Sequence, residues 1–85
     1  MIYPGTLVVP KERMDGWVAL YPTDGYGGST AGSYPRFYGG IVIASKPYHE
    51  YETYGICRTV RALFVLDSRT MRVGWVQEPW LEVVA

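Results

Sequence analysis

The stretch Val60-Arg61-Ala62-Leu63-Phe64-Val65-Leu66-Asp67-Ser68-Arg69-Thr70-Met71-Arg72-Val73-Gly74-Trp75-Val76 decides the fold. It opens with a run of β-branched, aliphatic and aromatic residues of strand length. A polar quartet follows, Asp67-Ser68-Arg69-Thr70, in which Asp and Ser suit the start of a turn. The chain then returns through Met71 to Val76. This is the pattern of an antiparallel hairpin. Alternation puts Val60, Ala62, Phe64 and Leu66 on one face, expected to be the core face. Thr59, Arg61, Leu63 and Val65 take the other. In the return strand Met71, Val73 and Trp75 share the expected inward face. Arg61 and Arg72 are expected as cross-strand neighbours on the outer face.

The same signature recurs on both sides of the hairpin. Thr6-Leu7-Val8-Val9 is closed by Pro10, and Trp17-Val18-Ala19-Leu20-Tyr21 by Pro22. Ile41-Val42-Ile43-Ala44 follows Gly39-Gly40, and Leu81-Glu82-Val83-Val84 ends the chain. No window sustains helical periodicity. Gln77-Glu78-Pro79-Trp80 reads as a 3₁₀ turn, because Pro suits an early helical position. The last strand is expected to pair with the first, which removes a free edge. Short strands between turn signals argue for an all-β fold, a barrel or a sandwich.

Two segments resist the strand reading and are expected as long loops, 23–38 and 46–58. The first carries Gly25, Gly27, Gly28 and Gly32 among Ser and Tyr, and the second carries Tyr48, His49, Tyr51 and Tyr54. Loops of this length tend to be functional.

Eighty-five residues make a single domain, 1–85, with 48% hydrophobic content and a formal net charge of zero. Such a chain buries roughly 60–70% of its unfolded surface. Neutral charge gives little long-range attraction to nucleic acid or to an anionic membrane. The single cysteine, Cys57, makes no internal disulfide. No apolar run approaches the roughly 20 residues that span a bilayer, and the N-terminus has no signal-peptide pattern. The expectation is a protein not secreted by a signal peptide and without a membrane partner.

The order of these elements resembles an SH3-like barrel. The wording resembles small SH3-like proteins encoded by tailed bacteriophages. The carrying residues are "PGTLVV" at Pro4–Val9, "GIVIAS" at Gly40–Ser45 and "VGWVQEPWLEVV" at Val73–Val84. The resemblance covers about half of the chain. It implies a small barrel of five to six strands with a short 3₁₀ turn before the last, a viral source, and so a place in the host cytoplasm or a virus particle, and it carries over no active site.

Catalytic and ligand-binding patterns are thin. The only histidine, His49, lies eight residues from Cys57 across a Tyr-rich segment, and reads as a solvated loop residue beside an inert thiol. His49, Glu50, Glu52 and Cys57 make a poor zinc set. The glycines from Gly25 to Gly32 lack the Lys-Ser/Thr of a phosphate loop, and no helix follows them. Glu50 and Glu52 have solvent as their expected neighbour, which is no setting for glycoside chemistry. The chain is therefore expected to be no enzyme and to hold no cofactor.

Binding is the better reading. Seven of the eight tyrosines lie between Tyr21 and Tyr54, interleaved with Gly and Ser. Tyr offers a stiff, amphipathic contact surface, and Gly and Ser let the backbone adapt around it. The candidate partner-binding residues are Tyr26, Tyr34, Tyr38, Tyr48, Tyr51, Tyr54 and Trp80. Equally, tyrosines cap a small core with the hydroxyl at the surface, and Trp80 packs as well under the last strand as against a ligand. A virion or host protein is the first expected partner. The alternative is nucleic acid, held by Arg58, Arg61, Arg69 and Arg72 on or beside the hairpin, with tyrosines for stacking.

Overall fold

In a computed structural model, residues 2–11, 18–22, 34–53 and 56–84 are described, with the backbone alone for 47–53 and 56–60. Five strands form among them: β1 (Leu7–Pro10), β2 (Gly40–Thr53), β3 (Ile56–Asp67), β4 (Val73–Gln77) and β5 (Leu81–Val83). A 3₁₀ turn, Glu78–Trp80, joins β4 to β5. The described residues contain no α-helix. All pairings are antiparallel in one sheet of order β4-β3-β2-β1-β5. The two outermost strands do not pair with each other, so the sheet is not closed.

The first and last strands meet as the sequence predicts, with Val8 opposite Val83 and Pro10 opposite Leu81. Proline tolerates this place because it ends the strand. The 3₁₀ turn also forms where expected, with Pro79 in its first turn. The Glu78 carboxylate accepts the backbone N–H of Ile2 at 3.0 Å, which ties the chain start to this turn.

Segment 46–58 corrects one expectation. Its described residues are strand and not loop: β2 runs on to Thr53, β3 starts at Ile56, and the two pair with each other to those ends. β2 has 14 residues against 12 in β3, and two register shifts, at Val42/Ala44 and Pro47/Glu50, absorb the difference. A bulge leaves one residue unpaired and bends the strand. Ile43 falls at the first bulge and is 46% exposed. Pro47 sits at the second irregularity, where a missing N–H costs the ladder little.

Between β1 and β2 two short arms run antiparallel. Leu20 N–H donates to Pro35 C=O, and Phe37 N–H to Val18 C=O, both at 2.8 Å. Tyr21 and Trp75 exchange backbone hydrogen bonds of 3.0 and 2.8 Å, so the first arm lies along the outer edge of β4. Gly74 makes this approach possible. A Cβ there would stand 2.8 Å from Leu20 Cβ.

The core unites Val8, Val18, Leu20, Phe37, Val42, Leu63, Val65, Val76 and Leu81, with Ile2 at its margin. This overturns the face expected for the hairpin at Phe64, Leu66, Met71, Val73 and Trp75, although Ala62 is buried as expected. Leu63 and Val65 are fully buried in the core, while Phe64 and Leu66 are half-buried on the opposite face. Trp75 follows them: it pairs with Phe64, ring centroids 5.0 Å apart and tilted 49°, and Lys46 lies 5.1 Å from the Trp75 ring. Val73 and Met71 are exposed. Both faces of β3 are apolar, so alternation names two faces without saying which one the remaining elements cover.

Candidate functional site

Asp67 closes β3 and is fully buried. Its Oδ1 accepts the backbone N–H groups of Arg69 and Thr70 at 2.8 and 2.9 Å, which winds the turn. Its Oδ2 accepts the N–H of Tyr38 at 2.6 Å. Burial opposes the charge and is the largest single influence. The hydrogen bonds from Tyr38, Thr70 and Arg69 together outweigh it and hold the carboxyl below its ordinary value. Ser68 adds two bonds to Gly39 C=O, from its N–H at 3.0 Å and its hydroxyl at 3.2 Å. Met71 takes a φ of 62° to complete the turn, and its N–H donates to Asp67 C=O at 2.8 Å.

This clasp seats the turn against the entry to β2. Gly40 faces Asp67 across the ladder, and a Cβ on Gly40 would collide with the Leu66 carbonyl. Gly39 has a φ of 140°, which favours glycine, and lies against Val9.

Tyr38 stands over this junction, 39% exposed. The guanidinium of Arg69 lies 4.4 Å from its ring centroid, and that of Arg36 lies 5.0 Å away. Both are cation–π distances. Among the described residues neither arginine forms an ion pair. Beside Tyr38 runs an open groove of about 430 Å³, walled by Leu7, Val9, Gly39, Arg69 and Val84 with Val8 beneath. Leu7 and Val84 are 56% and 45% exposed. The groove thus has an apolar bed and a cationic, aromatic rim.

The other candidate residues scatter. Tyr34 is half-buried, its ring 4.8 Å from that of Tyr21, where it packs the two arms together. Trp80 packs against the core and its indole N–H donates to Gln77 Oε1 at 3.0 Å. Tyr48 and Tyr51 lie on β2. Tyr26 and Tyr54 fall outside the described residues, as do the side chains of Tyr48, Tyr51 and Arg58.

The arginines do not form the expected hairpin patch. Leu66 pairs with Val73 and Ala62 with Gln77, so Arg61 and Arg72 stand at opposite ends of the β3–β4 ladder. Arg61 is half-buried: its Nη2 donates to Ser45 Oγ at 2.9 Å and its Nε is buried without a partner. Arg69 and Arg72 are exposed at the turn. Sequence reasoning missed Arg36 and Asp67 as parts of this site. Arg36 lay inside a presumed loop, and Asp67 read as a turn residue of no further consequence.

Among the described residues no three His, Cys, Asp or Glu side chains gather as a metal site, and no helix is long and apolar enough to cross a membrane. No family model, no curated protein and no solved structure matches the chain.

Proposed function

We propose that this chain is a small non-enzymatic binding or assembly module that docks on a protein of a virus particle or of a host cell. The observation that carries the proposal is the Tyr38 ring, exposed beside an apolar groove with Arg36 and Arg69 drawn over it. Interface centres are enriched in Tyr and Arg, and stable contact needs apolar area for them to frame. An SH3-like barrel of the kind tailed bacteriophages encode is the fold reading that accompanies it. The β4-β3-β2-β1-β5 order, the paired arms between β1 and β2, and the 3₁₀ turn before β5 support that reading.

Nucleic acid remains the competing partner. With Arg61 engaged by Ser45, that reading rests on Tyr38 for stacking and on Arg36, Arg69 and Arg72 for phosphate. Its signature is affinity that falls steeply with salt.

Capture from the natural lysate or particle tests the module. Wild type and Tyr38→Ala should melt within a few degrees of each other, and only the wild type should retain a protein partner. Equal retention by both places the contact surface elsewhere. Retention of nucleic acid in place of protein, released by nuclease, transfers the surface to the competing reading.

A further inference from the structure

Resting on that reading of the Tyr38 surface, we infer that the groove takes an extended acidic peptide segment, with an apolar side chain against Leu7 and Val84 and a carboxylate on the Arg69 and Arg36 guanidinium groups. The argument is charge complementarity on an apolar bed. Arg36 and Arg69 converge on one ring, at 5.0 and 4.4 Å, and neither pairs with a carboxylate among the described residues. Both guanidinium groups are exposed beside Tyr38, and a partner carboxylate there meets their combined positive charge. Asp67 forms no ion pair with either arginine. Its oxygens are turned onto the backbone N–H groups of Tyr38, Arg69 and Thr70. A guanidinium matches a carboxylate through paired N–H donors.

The walls select a peptide over a nucleic acid. Leu7, Val9 and Val84 offer aliphatic contact, and among the described residues Tyr38 is the only aromatic side chain in the groove wall. Base stacking along a strand needs successive aromatic platforms. The chain as a whole carries no net positive charge to draw a polyanion. A volume of about 430 Å³ lies in the range of small-ligand pockets and holds a few side chains, not a folded domain.

The test is selection of random linear peptides, ends blocked, on the full chain, followed by anisotropy of a fluorescein-labelled recovered peptide. Recovered sequences should place Asp or Glu beside Leu, Ile or Val. Affinity should fall roughly tenfold or more with Arg36→Gln plus Arg69→Gln. Replacing the peptide's acids by Gln and Asn should cause a similar loss, and Leu7→Ser should weaken binding on its own. All these positions are exposed or half-exposed, so melting temperature should hold. Peptides without acidic residues, or binding that the double Arg variant leaves intact, would overturn the inference while the module reading stands. Recovery of no peptide also overturns it. If labelled single-stranded oligothymidylate then binds through the same arginines, both readings fail together.

Discussion

The side chain of Asp67 accepts the main-chain N–H of Tyr38 at 2.6 Å, across 29 residues of sequence. One buried carboxylate therefore joins the β3–β4 turn to the residue that opens the candidate site. Removing it should be felt in both places. Asp67→Ala leaves three N–H groups without their acceptor. We expect a loss of about 2–4 kcal/mol in denaturant unfolding, and about half of that for Asp67→Asn, which keeps one acceptor oxygen.

Acid should dissolve the same clasp. The folded carboxyl lies below its ordinary value of 3.8, so the unfolded chain binds a proton more readily. Stability from this group is complete above that value and is lost as pH falls through the lower folded value. Unfolding free energy measured from neutral pH downward should therefore decline below about pH 4. Asp67→Asn should remove that component of the decline.

Three glycines should rank by what a methyl group meets. Gly40→Ala forces a Cβ into the Leu66 carbonyl, where the ladder has no room to yield. A loss of about 4 kcal/mol, or failure to fold, is expected. Gly74→Ala presses on Leu20 at 2.8 Å and should lose about 1–3 kcal/mol. Gly5 has open space but a φ of 90°, so Gly5→Ala should lose about 1 kcal/mol through backbone strain alone. Thermal melts of the three variants check the order.

The corrected face of the hairpin makes a further comparison. Leu63→Ala removes a fully buried core side chain and should lose about 2–5 kcal/mol. Phe64→Ala removes a larger ring from a half-buried place and should lose less than Leu63→Ala. A double-mutant cycle between Phe64 and Trp75 should return a coupling of about 0.5–1.5 kcal/mol.

Much of the fold is legible in the sequence for local reasons. Strand length, turn chemistry and the Pro79 signal speak for themselves, and they locate the hairpin, the 3₁₀ turn and the β1–β5 pairing. Burial of a face depends on what lies across from it. Leu63 and Val65 become core by joining one cluster with Val18, Leu20 and Phe37 from the arms, and no feature of β3 alone announces that. Segment 46–58 was obscured by Pro47 and its tyrosines and glutamates. Bulges reconcile those residues with a strand in ways that alternation does not record. Of the candidate site, Tyr38 is legible in the sequence as a contact candidate. Its partnership with Arg36 and Arg69 is not, because it joins residues 33 apart through a turn held by Asp67.

A strand greasy on both sides carries a hazard that its neighbours must answer. If β3 slid by one residue, it would exchange one oily surface for another, and oil alone would barely object. Correct alignment is therefore entrusted to features that tolerate no slippage: Gly40 beneath a carbonyl, Gly74 beneath Leu20, and a charge that fits the amides of its own bend and that of Tyr38. In this protein, the parts that appear smallest keep the strands in step.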